Sequence, residues 1–262
     1  MIRVAIVTSS RAGTASQCLP ELAEAEDITV GGVILVLGHY RTRWRKLRSK
    51  AKKVGRIGIG GAIVGRGMRR WHRDTSADDI AELSKRLGIP FYTSPRTNAP
   101  ETRELLRQTG AELGLSLGNS WLAPSVFSIP ALGMINVHGE VLPRYRGAAT
   151  AIWAIHDGNW ETGFTIHQLE RHIDAGAILY QEQFPIVVRS SLRATVVAAS
   201  AETSRRVPLA VRSVVSNYHQ LRAQAIVQEG GSDYTTPTLR QFLRMRRQHQ
   251  DRVTEVRRGQ TS

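Results

Sequence analysis

The chain has 262 residues, 41% of them apolar and 22% charged, a balance that fits a soluble globular protein of one large or two small domains. Its single cysteine, Cys18, excludes an internal disulfide and a cysteine-based zinc cluster, and it suits a reducing cytoplasm. The net charge of +14 is concentrated in two places: residues 39–73 carry thirteen Lys or Arg and no Asp or Glu, and residues 240–258 carry seven basic residues against two acidic ones. The basicity therefore belongs to two appendages on a mildly acidic body.

Residues 3–8 (RVAIVT) form a continuous apolar run, too short for a signal peptide or a membrane span, and read as a first strand. Helical spacing follows at 18–25, then a Val- and Ile-rich strand at 28–37, which makes a βαβ unit with a parallel sheet. The turn at 9–14 lacks the GxGxxG pattern of a dinucleotide site; it reads equally as a phosphate-holding helix N-terminus or a simple strand-to-helix turn. After residue 74 the alternation resumes, with helices at 78–87 and 100–108 and strands at 90–92, 113–117 and up to 138. The expected class is α/β, a doubly wound and mostly parallel Rossmann-like sheet with a helical, basic C-terminal extension. Such a sheet binds ligands at the carboxyl ends of its strands. A helix at 148–156, strands at 163–169 and 178–187 extending the sheet in antiparallel fashion, and one long helix over 192–225 complete the pattern, with a basic tail beyond Gly230. The division expected is a catalytic unit at 1–190, with a basic insertion at 39–74, and a helical segment with a tail at 191–262.

The insertion begins as a basic helix candidate with Trp44 and Leu47 on one side and continues as a glycine-rich apolar stretch, IGIGGAIVG. It is no Walker motif, because no Gly-Lys-Ser/Thr follows. Three readings stand side by side: a solvated arm, an interfacial segment at an anionic membrane, and a contact for nucleic acid or another polyanion.

The stretch 134–147 (MINVHGEVLPRYRG) places Asn136 and His138 two residues apart, so both side chains leave one face of a strand. An amide can donate to a developing oxyanion and an imidazole can move a proton near neutral pH. On that spacing alone, a strand end with a satisfied core histidine is the more common reading.

The string NVHGEVLPRYRG, followed by an apolar helix and then TGFTIHQLERHIDAG, resembles the 10-formyltetrahydrofolate-dependent formyltransferases, a family that includes the methionyl-tRNA, glycinamide ribonucleotide and amino-sugar enzymes. The resemblance is good over 114–185 and loose before it. It implies a catalytic trio of Asn136, His138 and Asp174, with 10-formyltetrahydrofolate as co-substrate and no metal. It places the pterin between two loops, Asn119, Ser120, Trp121, Leu122 and Ala123 on one side and Arg171, His172 and Ile173 on the other. In the trio, Asn136 and the His138 ring N–H would donate to the formyl oxygen, while Asp174 would orient His138 and help take the amine proton. His167 reads as a strand residue beside the site. Arg144, Tyr145, Arg146 and Glu140 fall on the acceptor side. Gly139-Glu140 departs from the Pro-Ser the family often has there, and Glu140 reads equally as an acceptor contact or a solvated turn residue.

The tRNA-directed members resemble longer chains with a β-barrel, and the helical C-terminal segment here offers no run of strands to build one. A purine-pathway member would be expected to carry a glycine-rich loop after the first strand. The acceptor expected is therefore a phosphate-bearing amine, foremost an amino sugar on a nucleotide or lipid carrier, with the insertion at the inner face of the membrane or on another polyanion. Formyltetrahydrofolate hydrolysis, another amine, or a non-catalytic polyanion- or membrane-binding module are the alternatives.

Overall fold

The computed structural model describes residues 1–38, 43–68, 71, 77–148 and 151–259, with the side chains of 43–47, 49, 50, 53 and 259 outside the description. The expected shared face of Trp44 and Leu47, and the start of the helix expected from 148, thus fall partly or wholly outside the described residues.

The apolar runs become the strands of a seven-stranded sheet. In chain order these are β1 (Ile2–Thr8), β2 (Ile28–Val36), β3 (Phe91–Ser94), β4 (Leu113–Ser116) and β5 (Met134–His138); β6 (Arg146–Gly147) stands apart, and β7 (Glu161–Gln168) and β8 (Ile178–Pro185) return to the main sheet. The sheet order is β3-β2-β1-β4-β5-β7-β8. The first five are parallel, and the pairings of β5 with β7 and of β7 with β8 are antiparallel, as the sequence led one to expect. Val4, Ala5, Ile6 and Val7 are all fully buried, because helices cover both faces of β1. Between β1 and β4 the strand order reverses, which opens a crevice at their carboxyl ends.

The helices α1 (Thr14–Ala23) and α7 (Leu192–Ser216) cover one face: Cys18, Leu19 and Leu22 meet Val207, Val211 and Val214 over β1 and β4. Each such fully buried aliphatic contributes about 1.5–3 kcal/mol relative to an exposed one. The helix expected over 192–225 is in fact two, because α7 ends at Asn217 and α8 (Tyr218–Ala223) starts anew. Asn217 leaves the helical backbone, and Tyr218 is pulled inward, its hydroxyl donating to the Leu132 carbonyl. The remaining short helices are α3 (Ile80–Arg86), α4 (Pro100–Gln108), α5 (Pro124–Phe127) and α6 (Ala151–His156).

The segment beyond Gly230 is not a tail. Asp233–Tyr234 (β9) pairs with β6, and Leu239–Gly259 forms a 21-residue helix, α9. Thr238 and Gln241 form a reciprocal capping box at its start: the Thr238 hydroxyl accepts from Gln241 N–H, and the Gln241 side chain accepts from Thr238 N–H at 2.9 Å. Met245 and His249 turn their face of α9 into a second core with Tyr145, Trp153 and Val196.

The insertion forms α2 (Arg43–Met68), bent where Gly58 takes φ +72°. Its glycines have a packing reason. A Cβ at Gly65 would collide with the Thr236 methyl, and one at Gly61 would meet the Pro237 carbonyl at 2.9 Å. The apolar stretch therefore lies against the chain's own residues 236–239, while Ile59 and Ile63 remain exposed. Among the described residues no helix is long and apolar enough to cross a membrane.

Gly65→Leu should lower stability in urea unfolding by about 1–3 kcal/mol through overpacking. Gly67→Ala, where an added Cβ meets nothing within 4 Å, should leave stability equal or slightly higher.

Candidate active site

The carboxyl end of β5 delivers Asn136 and His138 to one place, and the strand beside it supplies a third side chain. In the antiparallel register Asn136 lies opposite His167 on β7. The His167 Nδ1 donates to the Gln168 carbonyl at 2.9 Å, so in the neutral ring Nε2 is an acceptor and takes a hydrogen from the Asn136 amide at 3.3 Å. The second N–H of Asn136 has no partner among the described residues. Beyond β7 the chain turns through Asp174, the non-glycine residue with positive φ (+52°) among those described. Gly176 follows because a Cβ there would collide with the Gln168 carbonyl. The Asp174 carboxylate reaches back between both imidazoles, 3.5 Å from His138 Nδ1 and 3.6 Å from His167 Nε2, and accepts from Gly147 N–H at 2.9 Å.

His138 Nε2 lies 2.6 Å from the Tyr145 main-chain carbonyl, which accepts, so Nε2 carries the hydrogen and Nδ1 faces Asp174. This differs from the expectation that the His138 N–H is offered to a ligand oxygen: that donor is already engaged by the protein. Burial lowers the pKa of His138, outweighing the pull of Asp174 in the other direction. For Asp174, burial acts to raise the value, but His167, His138 and the Gly147 N–H together outweigh it and hold the carboxyl below its ordinary range. Near neutral pH the site thus combines a carboxylate with a neutral imidazole whose basic nitrogen faces it.

The two loops expected to flank a cofactor do meet, since Trp121 Nε1 donates to the Arg171 carbonyl at 3.2 Å. Asn119 ties the end of β4 to that of β1, donating to the Val7 carbonyl and accepting from Ser9. Ser120 contacts Thr97, and Asn98 bridges Trp121 and Ala123. Trp121, Arg171, His172 and Ile173 are exposed and available. Leu122 is not: its side chain is 3% exposed and packs with Val126 and Met134 in the core under the loop.

The acceptor-side set divides. Tyr145 is 1% exposed and packs 5.3 Å from the Tyr234 ring, so its side chain belongs to the second core and only its carbonyl touches the site. Arg144 is exposed and lies over the Tyr145 ring. Glu140 is fully buried, neither a solvated turn residue nor open to a ligand; it accepts from Thr162 at 2.7 Å and from Val141 N–H. Burial pushes its carboxyl up to about 7. Arg146 does face open space. With Gly147, His172 and Ile173 it lines a cleft of about 1240 Å³ whose far wall carries Arg48, Lys52 and Arg56 of α2. Those three recur every fourth residue, on one helix face.

Sequence reasoning missed His167 as a full member of the cluster, the three cations of α2 as a cleft wall, and Gln228. The Gln228 side chain donates to the carbonyls of Asp174 (3.0 Å) and Gly176 (2.6 Å) and accepts from Arg146 (3.0 Å). His167 was legible in the Thr-Ile-His string; the other two depend on residues distant in the chain.

The doubly wound sheet thus brings Asn136, His138 and Asp174 together at the end of β5. The formyl transferase family profile matches residues 64–211, more than half the chain, and the chain belongs to that family. It is 36% identical over 108 residues to the methionyl-tRNA formyltransferase of Trichlorobacter lovleyi, covering 41% of this chain and 34% of that protein. It is 31% identical over 151 residues to that of Thermosynechococcus vestitus, covering 57% and 44%. The chain thus spans less than half the length of these curated relatives. In fold it resembles phosphoribosylglycinamide formyltransferase of Anaplasma phagocytophilum (TM-score 0.61, 18% identity, 89% of this chain and 95% of that one). It also resembles the N-formyltransferase of Helicobacter canadensis in complex with folinic acid and dTDP-3-aminofucose (TM-score 0.53, 16% identity, 89% and 71%).

Two titrations check the electrostatics. The His138 ring should protonate with a midpoint below the usual 6.5 in an NMR titration, so acidification through that value favours the unfolded state, which binds the proton more readily. Glu140 acts in the opposite sense: its contribution is complete below 4.5 and is lost as pH rises through about 7, a change on the order of 3 kcal/mol. Urea unfolding at pH 5 and pH 8 should show this component in the wild type and lack it in Glu140→Gln.

Proposed function

We propose that the chain transfers a formyl group from 10-formyltetrahydrofolate to the amine of a phosphate-bearing acceptor. The observation that carries this reading is the Asn136–His138–Asp174 cluster at the end of β5, beside a cleft walled by cations. The donor's pterin lies between the loops joined by Trp121 and Arg171, where exposed side chains and main-chain groups are available.

The acceptor nitrogen attacks the formyl carbon, and the carbonyl electron pair moves onto oxygen. The second Asn136 N–H donates to that oxyanion, its amide held in place by His167. The proton released by the attacking nitrogen passes to the His138–Asp174 pair, where a hydrogen on Nδ1 turns the facing lone pair into a donor to the carboxylate. The tetrahedral centre then expels the folate nitrogen, which takes up that proton from the His138–Asp174 pair as it leaves.

An amino sugar on a nucleotide carrier is the acceptor we favour, because Arg48, Lys52, Arg56 and Arg146 match a diphosphate and line one cleft with Gly147, whose N–H holds the Asp174 carboxylate. An aminoacyl-tRNA is the second reading, favoured by the curated relatives, which are methionyl-tRNA formyltransferases. The exposed Ile59 and Ile63 on basic α2 support a contact with an anionic membrane surface in addition.

Donor consumption should fall on the order of 10²–10³-fold in Asn136→Ala and at least comparably in Asp174→Ala. Unchanged consumption in Asp174→Ala would exclude the assignment. Replacing Arg48, Lys52 and Arg56 together by Ala should raise the acceptor KM most at low ionic strength, with the gap closing as salt is added. A mass-spectrometric comparison of amino-sugar nucleotides with aminoacyl-tRNA, scored by formyl addition, separates the two acceptors.

A further inference from the structure

Asp174 sits in a conformation that an L-residue reaches only with support. Its φ of +52° costs on the order of 1 kcal/mol or more and persists only where neighbours over-determine the backbone. Part of that support comes from Gly147 N–H, which holds the carboxylate itself. The backbone is held from elsewhere, by a residue more than fifty positions downstream and beyond the stretch that matches the family profile.

Residues 226–234 run alongside the site as a lace with three attachments. Ile226 exchanges both main-chain hydrogen bonds with Ile178 at the start of β8. Asp233 and Tyr234 pair with Arg146 and Gly147, with Ser232 and Tyr234 carbonyls accepting from Arg146 and Ala148. Between these ends Ile226, Val227, Glu229 and Gly230 are exposed, and Gln228 alone turns inward. Its amide nitrogen spans the Asp174 and Gly176 carbonyls, at 3.0 and 2.6 Å, and its oxygen takes the Arg146 guanidinium at 3.0 and 3.3 Å. All its hydrogen-bonding capacity on that side is spent on the turn that carries Asp174 and on the strand that carries Gly147.

We infer that Gln228 is a positioning residue: it clamps the Asp174 turn to β6, and so fixes the carboxylate against His138 and His167. The inference rests on the proposed formyl-transfer reading for its kinetic consequence, and on geometry alone for its structural one. A carboxylate already 3.5 and 3.6 Å from two rings has little slack, and a displacement of about 1 Å at a reacting group costs up to about 10²-fold. The groups that set the His138 environment are Asp174 and His167, with the Tyr145 carbonyl on its other nitrogen. Releasing the turn removes the first of these.

Two variants of the full chain test this. Gln228→Met keeps the length and loses every hydrogen bond. Gln228→Glu keeps the acceptor for Arg146 and loses the donors to Asp174 and Gly176. Both should lower kcat for donor consumption by about 10- to 100-fold, and in Gln228→Glu, which keeps the Arg146 contact, the acceptor KM should stay within about twofold of wild type. In Gln228→Met, which adds no charge, the His138 midpoint in an NMR titration should fall by about half a unit or more, because the nearby carboxylate has moved away. The titration uses no substrate, so a wild type that consumes no formyl donor would sink the functional reading while the clamp is still judged by the ring's midpoint. A folded Gln228→Met with wild-type kcat and an unmoved His138 midpoint overturns the inference. A loss of thermal stability alone, with both readouts unmoved, overturns it equally, since that is what a purely structural tie would give.

Discussion

The antiparallel pairing of β5 with β7 is the constraint on which the site depends. A sixth parallel strand would have required a crossover and would have sent the chain away from the crevice. Instead β7, reached through β6 and α6, runs back against β5, sets His167 opposite Asn136, and ends where the Asp174 turn can fold back over both. The amide of Asn136 is thereby oriented by an imidazole rather than left to rotate, and one donor hydrogen is directed outward. Each of the three polar groups is held by another, so the geometry is set before any ligand arrives.

The same pairing explains why Asp174 is approached from two sides. Gly147 on β6 holds its carboxylate, and the downstream lace holds its backbone. The C-terminal third of the chain is thus built into the site it follows. α9 buries Met245 and His249 beneath the Tyr145 loop, and residues 236–239 receive the glycine face of α2. Charge follows this packing. α2 is docked by its glycines with Arg48, Lys52 and Arg56 toward the cleft, so the basic insertion is part of the wall beside Gly147.

Much of the sheet was legible because β1, β2, β4 and β5 are buried apolar runs bounded by Gly, Pro or small polar residues. Strand periodicity placed Asn136 and His138 on one face, and the resemblance singled out that pair and, through the Ile-Asp-Ala-Gly string, Asp174. Four features were not legible, each for a physical reason. Glu140 reads as an acceptor contact or a turn residue, but its partner Thr162 arrives from β7, and long-range pairing cannot be seen in a local pattern. Tyr145 lies between two arginines in sequence yet is drawn into an aromatic cluster with Trp153 and Tyr234. Leu122 belongs to an exposed loop and drops its side chain into the core. α9 was hidden by its charge, although the Thr-Leu-Arg-Gln capping box at 238–241 marks its start and was there to be read.

The central claim is that this cluster moves a formyl group intact onto an amine. Its most direct measurement is isotope tracing: 10-formyltetrahydrofolate labelled with ¹³C at the formyl carbon, incubated with the protein and an amine acceptor, and followed by mass spectrometry. The account predicts that the acceptor gains a single labelled formyl group in step with donor loss. Donor loss that delivers the label only as free formate, or no donor loss with any amino-sugar nucleotide or aminoacyl-tRNA, would contradict it.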